Sequence, residues 1–306
     1  MNILKSILPS RLLEVTEKAG INTPKQIIIL SVWDIKKLTN LKHDDIMMLK
    51  NIVTQYFSPV SVSGDKLCKT EKNLKTGCTA IDNVLNGGFR TGTLTEIYGE
   101  SGTGKTQLVM QLAAQCGSDG SVFICTEDLF PVKRFNQIRK NNCKTTDTDC
   151  NNMFIEHLTE AHELMSCIRV RLPKLLNTNK VLAVIIDSVA GPFRSEYTDY
   201  VHRAEELKEL GILLYKLAQE YNIAVICVNQ VTANFDNSDN VLPSLGLAWA
   251  NMVCYKLNIK KFTGVCNRPL GLHNDITMRE LRVVNGPDLP STGVKFIITV
   301  NGVENV

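Results

Sequence analysis

Apolar positions divide the chain into a short helical region and a longer region in which strands and helices alternate. Over the first 53 residues they recur at spacings of three and four, the period of helices that bury one face. They are Leu12, Leu13 and Val15, then Ile27 and Leu30, Ile35 and Leu38, and Ile46, Leu49 and Val53. The pattern predicts a helical N-terminal domain over 1–53. Pro59 and Gly64 then break it, which predicts a linker over 54–75.

From residue 76 onward, apolar runs of strand length alternate with helical stretches. The strand candidates are 93–98, 121–126, 181–187 and 223–229, and helical patterns lie near 104–116, 160–171 and 203–221. This rhythm predicts an α/β core over 76–306 with a mostly parallel sheet flanked by helices. Beyond 250 only strands are indicated, at 252–260, 276–284 and 294–300, with a hairpin near Asn301-Gly302. They predict an antiparallel C-terminal extension.

A glycine-rich stretch follows the first strong strand and opens a helix that the pattern of residues 107–116 predicts to be amphipathic. It consists of Gly99, Glu100, Ser101, Gly102, Thr103, Gly104, Lys105 and Thr106, with Gln107 next. Glycines let the backbone turn so that successive N–H groups face a phosphate. Lys105 is expected to reach the β- and γ-phosphates, and the Thr106 hydroxyl to bind Mg²⁺. The stretch predicts a site for ATP and Mg²⁺ at a helix N-terminus.

Three polar residues at the ends of neighbouring strands are candidates for the second layer of this site. Asp187 ends a buried apolar strand, where a carboxylate can hold Mg²⁺. Glu127 follows the strand after the phosphate loop and is the candidate for orienting an attacking water. Gln230 follows the next apolar strand and is the candidate for sensing the γ-phosphate. The alternative for Glu127 and Gln230 is a plain polar strand end.

Composition excludes only a few classes of function. The chain has 306 residues, 44% hydrophobic and 21% charged, and a net charge of +3, which permits nucleic-acid binding without indicating it. Its ten cysteines show no Cys-x-x-Cys spacing and its five histidines stand apart from them, so a metal cluster is not expected. No signal peptide and no run of membrane-spanning length is present in the sequence, so we expect an intracellular protein without a membrane partner.

These motifs together resemble the RecA-type recombinases of eukaryotes and archaea. The match covers nearly the whole chain, through residues 76–88, 99–107, Glu127, Asp187-Ser188 and 229–231. Segments 123–134, 154–157, 186–194 and 246–251 resemble more narrowly the recombinase paralogues of this family. The resemblance implies a RecA-like P-loop ATPase core, ATP bound between protomers, and homologous-recombination repair of double-strand breaks. It also implies that Arg134 packs near the adenine.

Departures from the strand-exchange enzymes concern the DNA-binding loops. The first loop, about 195–202, is short, and the second, 232–245, has no lysine or arginine but carries Asp236 and Asp239. Because phosphate contacts dominate DNA affinity, the second loop is a poor DNA clamp. DNA binding is expected to be weak, or rerouted to residues elsewhere: Arg194, Arg203, Lys256, Lys260 and Lys261. The alternative for the three lysines is a solvated edge strand.

Further departures concern assembly. Asn251 stands where the recombinases carry a histidine that senses the γ-phosphate. Asn285 stands where they carry an aspartate over the neighbour's ATP, and an amide contributes no negative charge there. Phe57 begins the Phe-x-x-Ala adhesive pattern, but Val60 replaces its alanine, which a pocket shaped for alanine resists by about 1–3 kcal/mol. The alternative for Phe57 is a simple apolar linker contact.

The sequence therefore favours a subunit that works with a sister recombinase paralogue and with the main strand-exchange recombinase. Its expected role is to promote or stabilise recombinase assembly on single-stranded or branched DNA, in the nucleus with some cytoplasmic pool. Turnover of ATP, if present, is expected to be slow and DNA-dependent. The alternatives are a self-assembling strand-exchange enzyme and a scaffold that binds ATP without hydrolysing it. For the N-terminal helices, a DNA-binding helix-hairpin-helix and a protein-interaction cap stay equally open.

Overall fold

The structure, a computed structural model, describes residues 3–58, 63, 72–142, 152–195, 200–232, 242–262 and 277–306. The chain forms two compact units, Met1–Lys69 and Thr70–Val306. Each has its own hydrophobic core. No disulfide joins the cysteines of the described ranges, and no helix in them is both long and apolar enough to cross a bilayer.

The described part of the smaller unit is helical, as the apolar spacing predicts. Its helices are α1 (Leu4–Ile7), α2 (Ser10–Lys18), α3 (Pro24–Ile29), α4 (Val32–Thr39) and α5 (His43–Phe57). Thr23 and Ser31 each cap a helix through a reciprocal capping box, which satisfies backbone donors that would otherwise lack partners. Helix α5 runs four residues past the expected end at 53, because no helix breaker occurs before Pro59.

The larger unit contains the remaining elements. Its described strands are β1 (Asn73–Leu74), β2 (Phe89–Arg90), β3 (Thr93–Tyr98), β4 (Ser121–Cys125), β5 (Met153–His157), β6 (Ala183–Asp187), β7 (Ala224–Asn229), β8 (Val231–Thr232), β9 (Leu242–Pro243), β10 (Tyr255–Phe262), β11 (Met278–Asn285), β12 (Gly293–Thr299) and β13 (Gly302–Asn305). Its described helices are α6 (Thr79–Val84), α7 (Lys105–Gln115), α8 (Val132–Asn142), α9 (Ala161–Ser166), α10 (Leu172–Thr178), α11 (Pro192–Ser195), α12 (Tyr200–Tyr221) and α13 (Gly246–Ala250). A π-helical turn, Cys167–Arg171, joins α9 to α10.

Nine of these strands form one sheet in the order β13-β12-β11-β10-β3-β7-β6-β4-β5. Strands β10, β3, β7, β6, β4 and β5 pair in parallel, and β10 to β13 pair antiparallel. The predicted fold class is therefore confirmed, including the hairpin at Asn301-Gly302 between β12 and β13. Over residues 256–258, β10 pairs with both β3 and β11, so Lys256 lies inside the sheet and not on the solvated edge strand that was the alternative for the three lysines. Lys260 and Lys261 pair with β11 alone.

Helix α7 is buried on every side rather than amphipathic. Leu108 to Ala114 are all buried, because α7 packs against the sheet and also contacts α8 and β13. The pattern missed this because Gln111 interrupts the apolar run. Its amide donates to the carbonyls of Thr76 (2.8 Å) and Val303 (3.1 Å), and its oxygen accepts from the Val303 N–H (2.6 Å). This one side chain connects the helix after the phosphate loop to the last strand.

Replacing Gln111 should therefore lower the stability of the larger unit. Gln111→Leu leaves the buried Val303 N–H without its partner, and we expect a loss of at least about 2 kcal/mol in the free energy of unfolding. Gln115→Leu, at the half-exposed end of the same helix, should change it by less than about 0.5 kcal/mol. The measurement is urea unfolding followed by Trp249 fluorescence in a Trp33→Phe background, which leaves one tryptophan. Equal losses in the two variants would contradict the role given to Gln111.

Candidate nucleotide-binding site

The carboxyl ends of β3, β4, β6 and β7 meet at one edge of the sheet. The glycine-rich stretch connects β3 to α7 and lies at this edge. Gly102 and Gly104 have φ of +70° and +101°, in the left-handed region where a side chain is strained. A side chain on Gly104 would also collide with the Ile298 Cδ1 atom. The positive φ therefore favours glycine at position 104, and a side chain there would also displace the end of the Ile298 side chain.

Lys105 begins α7, and its ammonium is held inside the loop. Its Nζ donates to the carbonyls of Gly99 (2.7 Å) and Glu100 (2.8 Å), and only 8% of the residue is exposed. Burial lowers the pKa of Lys105, although the nearby carboxylates of Asp187, Glu127 and Glu100 oppose the shift. Neutral carbonyls are weak compensation for a buried cation. The group is therefore poised for a stronger anionic partner.

Asp187 ends β6 beside the first turn of α7. The Thr106 hydroxyl donates to its Oδ2 at 2.6 Å, so the two predicted magnesium ligands are neighbours. Burial raises the pKa of Asp187, and the Thr106 hydrogen bond and the charge of Lys105 partly offset the shift. Both side chains supply oxygen ligands, which Mg²⁺ prefers. A bound cation would also favour the ionised carboxylate, so these residues fit the metal.

Glu127 and Gln230, predicted separately, are in direct contact. The Gln230 Nε2 lies 2.6 Å from one Glu127 carboxylate oxygen and 2.7 Å from the other. The Ser188 hydroxyl donates to the first of these oxygens at 3.2 Å. A Cβ on Gly191 would lie 2.9 Å from the Glu127 Cγ, so the loop after β6 approaches Glu127 closely. Both carboxylate oxygens of Glu127 thus have hydrogen-bond donors.

These groups surround a cavity of about 490 Å³, a volume in the range of small-molecule sites. Its lining consists of Ser101, Gly102, Gly104, Lys105, Thr106, Gln107, Glu127, Asp128, Asp187, Ser188, Val228, Gln230, Arg279 and Ile298. Of the predicted loop residues 99–107, Gly99, Glu100 and Thr103 are absent from this lining. They shape the loop instead: the Thr103 hydroxyl donates to the Glu100 carbonyl at 2.9 Å.

Arg134, expected near an adenine, lies on α8 and is not among the residues that line the cavity. Its guanidinium donates to the Gln107 side chain (2.6 Å) and to the carbonyls of Thr299 (2.7 Å) and Val300 (2.9 Å). It therefore joins α8 to the helix after the phosphate loop and to the turn between β12 and β13. Partial burial lowers its pKa.

Five residues of the cavity wall carried no predicted role: Asp128, Ser188, Val228, Arg279 and Ile298. Asp128 and Ser188 directly follow predicted site residues, so their position at a strand end was a usable signal. Arg279 and Ile298 come from β11 and β12, far along the chain. No motif marks them, because their proximity depends on how the C-terminal strands pair.

The remaining predicted positions lie elsewhere. Asn251 is exposed just after α13, and Asn285 is exposed at the end of β11. Phe57 ends α5, 41% exposed, with its ring edge-on to Tyr56. Val60, Asp236 and Asp239 lie outside the described residues, as do the Arg194 side chain and most of both predicted DNA-binding loops. Arg203 lies near the start of α12.

A phosphate loop between a strand and a helix, with an aspartate at the end of a neighbouring strand, defines the class of P-loop nucleotide-binding proteins. The Rad51 family profile matches residues 69–306 of this chain. The chain belongs to the Rad51 family. The predicted RecA-type resemblance is thereby confirmed.

Comparison with individual proteins shows which members of the family this chain is similar to. DNA repair protein XRCC3 of Bos taurus is 30% identical over 100% of this chain and 98% of that protein. DNA repair protein XRCC3 of Mus musculus is 27% identical over 98% of this chain and 96% of its own length. DNA repair protein rhp57 of Schizosaccharomyces pombe is 27% identical over 90% of this chain and 91% of its own length. The narrower resemblance to a recombinase paralogue is thus also confirmed.

A buried carboxyl group lies behind the site, at the centre of β3. Glu96 is fully buried, and its Oε1 accepts from the Asn229 amide (2.7 Å) and from the Trp249 indole (2.8 Å). Within the described residues its Oε2 has no hydrogen-bond partner. Asn229 Oδ1 in turn accepts from the Gln230 N–H (2.8 Å) and the Ser244 hydroxyl (2.9 Å). This network connects Gln230 to α13.

Burial raises the pKa of Glu96 above its ordinary value of 4.5, against the opposing effect of its hydrogen-bond donors and Lys256. The folded chain therefore retains a proton that the unfolded chain releases. The stability that this proton contributes is present below about pH 4.5 and is lost as the pH rises through the folded-state pKa.

Glu96→Gln removes this titration while its side-chain oxygen keeps both accepted hydrogen bonds. We expect the free energy of unfolding of the variant, minus that of the wild type, to increase from about pH 5 to about pH 8, by at most about 1.4 kcal/mol per pH unit. Urea unfolding read from Trp249 in the Trp33→Phe background measures it. A difference that is the same at both pH values would show that Glu96 does not titrate abnormally.

Proposed function

We propose that this chain is an ATP-binding recombinase paralogue that acts in homologous-recombination repair of DNA double-strand breaks. The observation that carries the proposal is the convergence of Lys105, Thr106 and Asp187 around one cavity in a member of the Rad51 family. Full-length similarity to proteins named as DNA repair proteins supports the repair role.

In this proposal Lys105 binds the β- and γ-phosphates of ATP. Thr106 and Asp187 hold Mg²⁺, which neutralises phosphate charge. The loop residues 99–104 and Gln107 position the phosphates, and Arg134 packs near the adenine. The lowered pKa of the buried Lys105 supports this assignment, because a polyphosphate supplies the counter-charge that two carbonyls do not.

Hydrolysis, in this proposal, is slow. Glu127 orients the attacking water and Gln230 senses the γ-phosphate. Gln230 donates to both carboxylate oxygens of Glu127, at 2.6 and 2.7 Å, and Ser188 donates to one of them at 3.2 Å. A carboxylate has about four lone-pair sites, so one acceptor site remains for a water. Because Gln230, the residue just before β8, holds this carboxylate, its movement would change the orientation of Glu127.

The chain would use ATP mainly to fix an interface with a sister paralogue of the Rad51 family. Asn251 and Asn285 support this choice over a self-assembling filament, because each replaces an ionisable residue expected at an ATP-bridged interface. The complex would help the main strand-exchange recombinase to assemble on single-stranded DNA, in the nucleus.

Lys105→Ala should abolish ATP-dependent pairing. We expect its ATP affinity, measured by isothermal titration calorimetry, to fall at least tenfold, because a buried charge-assisted contact is lost. Capture of a purified sister paralogue in ATP should fall with it. Lys216→Ala, at an exposed lysine of α12, is the matched control and should leave both unchanged. If Lys105→Ala loses ATP but captures the partner normally, ATP does not control the interface.

Glu127→Gln should lower ATP turnover at least tenfold, since positioned acid–base groups contribute about 100-fold or more, and leave ATP affinity within twofold. Glu205→Gln, at an exposed carboxylate of α12, should leave turnover unchanged. Phosphate release with single-stranded DNA present measures turnover. Wild-type release no faster than that of Lys105→Ala would favour the non-hydrolysing scaffold over the enzyme.

A further inference from the structure

Two cationic side chains of the C-terminal strands lie against the phosphate loop. Lys261, near the end of β10, and Arg279, near the start of β11, are direct partners across this antiparallel pair. Directly opposed residues share one face of a sheet, and like charges in such a pair destabilise it. An anion between them would remove that penalty.

Both side chains reach the glycines that shape the loop. A Cβ on Gly102 would lie 2.9 Å from the Lys261 Nζ, and a Cβ on Gly104 would lie 3.3 Å from the Arg279 Nε. Arg279 also lines the cavity, together with Lys105 and Asp187. The two cations are therefore neighbours of the loop that the proposed function assigns to phosphates.

The environment of Arg279 lacks the anion that a guanidinium normally finds. Within the described residues no carboxylate pairs with it, its Nη1 donates to the Thr277 carbonyl at 2.9 Å, and its buried Nε has no hydrogen-bond partner. Burial lowers its pKa. A guanidinium has five N–H donors in a fixed fork that suits phosphate oxygens. A guanidinium beside a phosphate loop whose buried Nε donor has no partner indicates a ligand rather than a structural ion pair.

We propose that Arg279 and Lys261 form a second cationic arm of the nucleotide site, which binds the phosphate chain of a nucleoside triphosphate in addition to Lys105. This inference rests on the proposed function and names a further part of the same site. It gives the antiparallel extension of the sheet a direct role in nucleotide binding. Arg279 is the principal contact because it lines the cavity, and the more exposed Lys261 contributes less.

The test compares Mg²⁺-dependent binding of ATP, ADP and AMP to the full chain by isothermal titration calorimetry. Arg279→Met should weaken ATP binding at least tenfold, ADP binding less and AMP binding not at all, because the contact is to the phosphate chain. Lys261→Met should weaken ATP binding about threefold. Arg282→Met is the matched control: it lies on the same strand, its side chain is 57% exposed, and it should leave binding within twofold.

Arg279→Lys separates charge from packing. It keeps the positive charge but loses the fork, so it should recover part of the ATP affinity that Arg279→Met loses. If Arg279→Met does not fold, Arg279→Lys and Lys261→Met decide the question by the same titrations.

ATP binding within twofold of the wild type in both Arg279→Met and Lys261→Met would overturn the second arm and leave the proposed function intact. Equal losses for ATP, ADP and AMP would overturn it too, because they would indicate general damage to the site. Failure of the wild-type chain to bind ATP would overturn the proposed function itself.

Discussion

The ammonium of Lys105 is buried, and its two hydrogen bonds go to backbone carbonyls of the loop that precedes it. Keeping a cation there is costly unless anions lie nearby. The fold supplies them by ending parallel strands at one edge, where Asp187 ends β6 and Glu127 follows β4. The same convergence raises the pKa of Asp187 through burial. Burial therefore shifts the pKa of Lys105 down and that of Asp187 up, and a bound magnesium polyphosphate would stabilise the charged form of both groups.

Contacts behind this edge extend the site into the core. Gln230 contacts Glu127 with its side chain, and its backbone N–H donates to Asn229, which shares Glu96 with Trp249. One hydrogen bond thus connects Gln230 to a buried network that reaches α13. Ser244, at the far end of the second predicted loop, also donates to Asn229. Gln230, at the edge of the sheet, and Ser244, at the end of this loop, therefore both donate hydrogen bonds to Asn229.

Sequence periodicity predicted most of the fold, because buried parallel strands appear as apolar runs that end in polar residues. The glycine-rich stretch marked Lys105, and the same periodicity marked Asp187, Glu127 and Gln230 at strand ends. It could not show that Gln230 donates to Glu127, since both are simply polar strand ends. Helix α7 was misread because complete burial and the polar bonds of Gln111 leave no apolar stripe. The position of Arg279 and Lys261 beside the loop could not be predicted, since it depends on the antiparallel register of β10 and β11.

Light scattering after size-exclusion chromatography, in ATP, Mg²⁺ and single-stranded DNA, tests the central claim most directly. The chain is measured alone and with another Rad51-family paralogue of the same organism. The account predicts a monomer alone and a defined small complex with the partner, present in ATP and lost without it. Polymer growth by the lone chain would contradict the account and indicate a strand-exchange recombinase.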